Sequence, residues 1–281
     1  MGRKTPKWNR LESAQNARYK FWRSLLSTKG RKKERCCLVE SRKLVADVFD
    51  AQGEVLAVLL SEEHEEAWNA MLSYRRKAEE TNPAEIVELP FNLFRKLSTM
   101  EHPDGILAVV RIPEESHTED VGFRWLLLDH LQDPGNVGTL LRSAEAFGFT
   151  HIATLASADV FSPKCLRAAM GSTFRLTVTN VKEGAFSAWK KQLALPLYGA
   201  DLQGDSVHTC AWPKHFILAV GNEGNGISRE VRKELDHPIT IPMQGEGESL
   251  NAAVSGSVIM AMAQQRMAKT AETNPPTGRN K

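Results

Sequence analysis

Three stretches of the chain put glycine and polar residues directly after an apolar run. In an open α/β sheet that arrangement places ligand-handling groups along one edge. The first follows Leu127-Leu128 and reads Asp129-His130-Leu131-Gln132-Asp133-Pro134-Gly135-Asn136-Val137-Gly138-Thr139-Leu140-Leu141-Arg142. Pro134-Gly135 makes a turn, Asn136 can cap the helix that follows, and Gly148 stops it. Arg142 stands among small and apolar residues, and one reading pairs it with Glu145 three positions on. The second stretch, Gly221-Asn222-Glu223-Gly224-Asn225-Gly226, follows Phe216–Val220. Its three glycines let backbone approach a ligand closely, but their spacing is not the G-x-G-x-x-G of nicotinamide binding. A turn closed by Ser228 as helix cap accounts for every residue there except Glu223. The third runs from Ile241-Pro242-Met243 through a Gly/Glu loop to Ser249-Leu250-Asn251. Ser249 or Asn251 opens the last helix, whose N–H groups suit a carboxylate or phosphate.

The elements that position these stretches alternate regularly. Apolar strands are expected at Trp125–Asp129, His151–Leu155, Leu195–Ala200, Phe216–Val220 and Ile239–Ile241. Helices are expected at Gly135–Phe147, Pro163–Met170, Ala185–Leu193, Ser228–Leu235 and Leu250–Met267. Short apolar strands separated by helices predict a parallel sheet covered on both faces. Upstream, the pattern predicts a smaller α/β domain. Its helices lie at Trp8–Ser27 (ended by Gly30, with Arg31-Lys32-Lys33 as a basic turn), Glu40–Asp50, Glu63–Lys77 and Phe91–Leu97. Its strands lie at Val55–Leu60, Ile86–Leu89 and Ile106–Arg111. The organisation is then 1–112 for a basic arm and first domain, 113–122 for an acidic, Ser/Thr-containing linker, 123–269 for the second domain, and 270–281 for a disordered tail.

Charge is distributed unevenly. Residues 1–43 carry 14 Lys and Arg against Glu12, Glu34 and Glu40, a balance of +11, whereas the whole chain nets only +2. A basic arm on a mildly acidic body suits a polyanionic partner, and the alternative is a solvated basic tail. The four cysteines form no C-x-x-C or Cys/His cluster, so neither a zinc site nor a disulfide framework is expected. No apolar run reaches the roughly 20 residues that span a bilayer, and the polar N-terminus lacks a secretory h-region. A cytoplasmic protein with no metal and no membrane association is expected.

In this order, the three stretches resemble the SpoU/TrmH-like family of the SPOUT superfamily, S-adenosylmethionine-dependent RNA 2′-O-ribose methyltransferases. The family's N-x-G-x-x-x-R matches Asn136, Gly138 and Arg142. Its G-N-E-G-x-G-I matches Gly221 through Ile227, and its I-P-M-x-G-x-x-x-S-L-N matches Ile241 through Asn251. Phe161-Ser162-Pro163-Lys164 and Arg167–Ser172 are also similar, and the likeness covers roughly residues 104–268. Leu38–Val45 and Pro103–Val110 look like the family's ribosomal-protein-L30-like domain. One departure is Ala252-Ala253, where relatives often carry Ser or Val.

The resemblance implies an α/β fold with a trefoil-knotted, parallel-sheet SPOUT catalytic domain and an N-terminal L30-like RNA-binding domain. It implies an S-adenosylmethionine pocket formed by Leu218, Val220, Gly221, Asn222, Gly224, Ile241, Met243, Leu250 and Ala253. It assigns catalysis to Arg142, Glu223, Asn251, Asn136 and Ser249. A guanidinium stays protonated, so Arg142 is expected to stabilise the developing alkoxide and hold the adjacent phosphate. Glu223 would orient the site by pairing with Arg142, while Asn136, Ser249 and Asn251 would place ribose, phosphate and loop backbone. A homodimer through Leu250–Met267 and part of Gly135–Phe147 is implied. The substrate is structured RNA, with 23S rRNA favoured by the long N-terminal domain; tRNA methylation and non-catalytic RNA binding are the alternatives.

Overall fold

The structure, a computed structural model, describes residues 9–64, 66–67, 69, 84–114, 124–245 and 250–273, with the side chains of the last helix described to residue 268. The chain forms two units. One runs to Glu114 and takes in Asp159–Phe174; the other comprises Glu115–Ala158 and everything from Arg175.

The first unit contains β1 (Asn9–Arg10), α1 (Ala17–Ser24), α2 (Thr28–Glu34), β2 (Cys36–Glu40), α3 (Arg42–Asp50), β3 (Val55–Ser61), β4 (Glu85–Leu89), α4 (Phe91–Leu97) and β5 (Ile106–Arg111). Its five strands lie in the order β1-β4-β3-β5-β2. β1, β4 and β3 are parallel neighbours, and β5 runs antiparallel to both β3 and β2. Leu38, Leu59, Val87, Leu107 and Val109 supply the sheet side of a core that Tyr19, Trp22, Leu93 and Phe94 close from the helices.

Of the single long helix expected at Trp8–Ser27 only Ala17–Ser24 is helical: the span opens on β1, and a second short helix, α2, follows it at Thr28–Glu34. Asn16 caps the first and Ser27 the second, where the Ser27 hydroxyl accepts from Gly30 N at 3.1 Å. Gly30 therefore lies inside α2 rather than ending a helix. Arg31 is no part of a basic turn. It is 3% exposed, and its guanidinium reaches Asp159 at 2.8 Å and the Leu25 carbonyl at 2.8 Å. The helix expected from Glu40 begins at Arg42, because Cys36–Glu40 is a fully buried strand. Ser41 joins the two at φ 99° while its hydroxyl caps Leu44 N. The Glu40 carboxylate is buried, yet it accepts from Ser98 and from the Thr99 N–H at 2.9 Å. The helix expected over Glu63–Lys77 and the linker expected at 113–122 lie largely outside the described residues.

Asp159–Phe174, expected within the second domain, packs in the first unit. It carries α6 (Pro163–Ala169), which lies against β2, and Arg167 donates to Thr99 Oγ1 at 2.5 Å.

The second unit contains β6 (Arg124–Asp129), α5 (Pro134–Ala146), β7 (His151–Leu155), β8 (Thr177–Val181), α7 (Phe186–Leu193), β9 (Leu197–Ser206), β10 (Phe216–Val220), α8 (Arg229–Arg232), β11 (His237–Thr240) and α9 (Ala252–Thr273). Its six strands are all parallel, in the order β11-β9-β10-β6-β7-β8. β6, β7 and β10 are almost wholly buried apolar runs, as a sheet covered on both faces requires. β8 is the strand the sequence pattern missed. It sits at the sheet edge with Thr177 and Thr179 half-buried and Asn180 exposed, so no apolar run announces it. α9 continues to Thr273, past the expected start of a disordered tail, and 274–281 lie outside the described residues.

α9 packs closely on α5. A Cβ on Gly256 would fall 2.5 Å from Leu140 Cδ2 and 2.9 Å from Val220 Cγ2, so any larger residue there would have to displace these buried side chains. At the next residue, Ser257 and Ser143 of α5 share a hydrogen bond of 2.7 Å. This contact delivers the first residues of α9 to the first residues of α5.

Candidate active site

Because the sheet is parallel, the segments leaving β6, β10 and β11 emerge along one edge, and all three expected motifs begin there. Asp133 caps α5, accepting from Asn136 N at 2.9 Å, with Pro134 at the first helical position. This corrects the expectation that Asn136 is the cap, and its physical consequence is local. With Asp133 satisfying the backbone, the Asn136 amide is free to reach outward. Its Nδ2 donates to Glu223 Oε1 at 2.5 Å, and its Oδ1 accepts from Asn251 Nδ2 at 3.1 Å. One side chain thus joins all three motifs.

Asn251 is itself a helix cap. Its Oδ1 accepts from Ala253 N at 2.9 Å and Val254 N at 3.2 Å, so those amides are not open to a ligand as the sequence suggested. Ser249 lies outside the described residues.

The glycine-rich stretch folds back on itself, with Asn222 and Gly226 exchanging backbone bonds of 2.9 and 2.8 Å. A Cβ on Gly221 would sit 2.3 Å from Gly226 carbon, so the closure depends on that glycine. The Asn222 amide ties the loop to the end of β6 through the His130 carbonyl at 3.1 Å. Below it, fully buried Asp129 accepts from Ser228 N at 2.6 Å and contacts His130 Nδ1 at 2.7 Å. That hydrogen bond, with Glu183 3.5 Å from the other ring nitrogen, holds the imidazole pKa above its ordinary value.

Arg142 is on the exposed side of α5. Among the described residues it has no hydrogen-bond or ion-pair partner. Neither expected pairing forms: Glu145 is held by Arg175 from across the unit, and Glu223 is taken by Asn136.

Beside the motif junction is a cleft of ≈ 580 Å³. Val220, Gly221, Asn222, Gly224, Ile241, Met243 and Leu250 line it as expected. Leu218 and Ala253 do not. Leu218 is fully buried at the centre of β10, and Ala253 is only 3% exposed. Arg232 and Asp201, an ion pair at 2.6 Å, also line the cleft. No sequence pattern marks them, because β9 runs on to Ser206 past its expected end at Ala200 and the two residues are far apart in the chain.

The model of the SpoU rRNA Methylase family matches residues 124–261, and that of the MRM3-like substrate binding domain matches 16–108. The Bacillus subtilis 23S rRNA (guanosine(2553)-2′-O)-methyltransferase RlmP is 31% identical over 252 residues, 89% of this chain and 97% of that protein. The chain belongs to the SpoU rRNA methylase family. Among solved structures, this SpoU-family chain is similar to a TrmH-family protein from Porphyromonas gingivalis, with a TM-score of 0.76 and 35% identity over 90% of this chain and 100% of that one. It is similar also to the SpoU methyltransferase AviRb from Streptomyces viridochromogenes in complex with AdoMet, with a TM-score of 0.80 and 27% identity over 90% and 99%. These likenesses place the mixed first unit and the parallel-sheet second unit in the architecture of SpoU/TrmH enzymes, a SPOUT methyltransferase domain with an N-terminal substrate-binding domain. Among the described residues of this SpoU-family chain, no helix is long and apolar enough to cross a membrane, and no three His, Cys, Asp or Glu side chains converge as metal ligands.

Proposed function

We propose that the chain transfers the methyl group of S-adenosylmethionine to a ribose 2′-hydroxyl of ribosomal RNA, with 23S rRNA as the substrate. The observation that carries this reading is the Glu223–Asn136–Asn251 chain of hydrogen bonds, which fastens the glycine loop, the start of α5 and the start of α9 around one cleft.

The cleft fits the cofactor on its own chemistry. Its volume lies within the range of small-molecule sites. Val220, Ile241, Met243, Leu250 and Ile259 offer apolar surface for a purine, and the 221–226 loop offers backbone polar groups within reach of ribose hydroxyls and an amino-acid head. When bound, the sulfonium supplies an electrophilic methyl group that needs no metal. The protein's part is alignment and charge. The motif junction fixes both walls of the cleft before substrate arrives, so little reorganisation is left for the reacting step. Arg142, whose guanidinium has no partner among the described residues, stabilises the oxyanion developing on the ribose and holds the neighbouring phosphate, and the proton leaves to phosphate or water.

The reading extends to organisation. Residues 1–112 bind RNA, 123–269 carry catalysis, and the enzyme works in the cytoplasm as a homodimer. On α9, Val254 is 49% exposed, and Val258 and Met262 follow it at helical spacing, half-buried. That apolar stripe, on a helix already packed on α5, supports pairing through these two helices. Mapping ribose methylation in rRNA from cells lacking the gene tests the function: one 2′-O-methyl group should vanish from 23S rRNA, and an unchanged map contradicts it.

A further inference from the structure

The excess of cations in residues 1–43 is not one uniform surface. Arg10 is held by Glu12, Glu62 and Glu88, Arg18 by Glu85, Lys33 by Glu34, and Arg42 by Glu66. Arg31 is buried against Asp159. Acids already balance these five, and each such pair leaves little attraction for an outside anion.

The unbalanced charge lies elsewhere. Lys20 and Arg23 project from α1, three residues apart and both exposed. α4 lies alongside α1: the Tyr19 hydroxyl donates to the Leu93 carbonyl at 2.9 Å, and Arg23 Nη1 donates to the Lys96 carbonyl at 3.3 Å. α4 adds Arg95 and Lys96, also exposed. None of these four has an acidic partner among the described residues, and neither helix contains an Asp or Glu. Lys29 and Lys32 on the adjoining α2 are exposed and unpaired in the same sense.

We propose that the α1–α4 face, centred on Lys20, Arg23, Arg95 and Lys96, is the surface on which the first unit grips the RNA phosphate backbone. Two of these residues, Arg95 and Lys96, lie some fifty positions beyond the basic arm, outside its charge excess. The face carries four positive charges with no internal neutralisation, on helices fixed side by side by buried Tyr19 and by the Arg23 bond. A rigid cationic row suits a phosphate backbone and reads no sequence. The inference rests on RNA being the substrate.

The test measures the affinity of the full chain for deproteinised 23S rRNA at several salt concentrations. The variant is Lys20→Ala/Arg23→Gln/Arg95→Ala/Lys96→Ala. The control removes four equally exposed cations of the second unit: Lys182→Ala/Lys191→Ala/Lys214→Ala/Lys233→Ala. Each phosphate contact contributes roughly 0.7–0.9 to the slope of log affinity against log salt. The variant should therefore lose about three units of slope and weaken at least tenfold near physiological salt, while binding S-adenosylmethionine in calorimetry as the wild type does. The control should lose less than one unit. Lys20→Ala/Lys96→Ala, which touches no hydrogen bond of the fold, should lose over one unit and serves if the larger variant unfolds. Equal slopes for variant and control overturn this surface while wild-type binding leaves the RNA reading intact. Absence of salt-dependent binding by the wild type overturns the RNA reading itself.

Discussion

Asn136 is the residue on which the assembly of the site turns, and its two hydrogen bonds set the size of what its loss should do. Asn136→Ala removes the bond to the Glu223 carboxylate and the bond to the Asn251 amide. All three side chains have water access, so the freed groups can be resolvated. The stability cost then sits near the low end for two hydrogen bonds, about 1–2 kcal/mol. For a chain of this size that lowers the melting temperature by roughly 2–8 °C. Catalysis should suffer far more, because the glycine loop and the α9 cap lose their common anchor. A misplacement of about 1 Å costs on the order of 100-fold. Asn136→Asp separates geometry from charge. It keeps the shape but sets a second carboxylate against Glu223, where repulsion amounts to roughly 1–4 kcal/mol at hydrogen-bonding range in a partly exposed site. Protonation removes that repulsion, so the Asp variant should regain activity as pH falls towards the carboxylate range. The assay is single-turnover methyl transfer to 23S rRNA at several pH values, with melting curves alongside. An alanine variant of near-normal rate, or an aspartate variant with the wild-type pH profile, would show that Asn136 does not anchor the site.

Arg142→Ala should lower single-turnover rate by roughly 10²–10³-fold, leaving the melting curve and S-adenosylmethionine affinity nearly unchanged, because the guanidinium has no partner to lose among the described residues. Arg142→Lys should not rescue it, since an ammonium cannot span ribose oxygen and phosphate in one planar fork; a near-normal rate in the alanine variant removes Arg142 from the mechanism. Ser41 holds φ 99°, a conformation that costs a non-glycine residue about 1–3 kcal/mol. Ser41→Gly relieves that and loses about 0.5–1 kcal/mol to chain entropy and a few tenths to the lost cap, so it should be neutral to stabilising. Ser41→Ala loses the cap and keeps the strain, so thermal unfolding should come earlier; equal destabilisation of both variants contradicts the strain. Light scattering at micromolar concentration should give a dimer mass, with Val254→Asp shifting it to monomer; a monomeric wild type sinks the proposed α9 interface.

Much of the second unit was legible because a parallel sheet buries both faces of its strands. Phe216–Val220 and His151–Leu155 stand out as unbroken apolar runs and appear in the structure with those bounds. β2 was not legible. Its Glu40 looks like the start of a helix, and the groups that make burying it tolerable, Ser98 and Thr99, come from far along the chain. At the site, residue types and order pointed to the right segments, but not to who bonds whom. Asp133 and Asn136 compete for one helix cap, and nothing local says that Asp133 wins. Likewise Arg31–Asp159, Arg175–Glu145 and Arg232–Asp201 join residues that no periodicity relates. Such pairings follow from tertiary packing, which the sequence pattern does not contain.

Under the proposed function the methyl group goes to a ribose oxygen. A 2′-O-methyl blocks attack by that hydroxyl on the adjoining phosphate, so alkali leaves an uncleaved dinucleotide at the modified position. The deciding measurement is incubation of the purified chain with methyl-labelled S-adenosylmethionine and unmodified 23S rRNA in chelator, followed by alkaline hydrolysis. Label is expected in a single alkali-stable dinucleotide, and none with Arg142→Ala in the same time. Label in mononucleotides, which marks base methylation, or a strict metal requirement would contradict the proposed function.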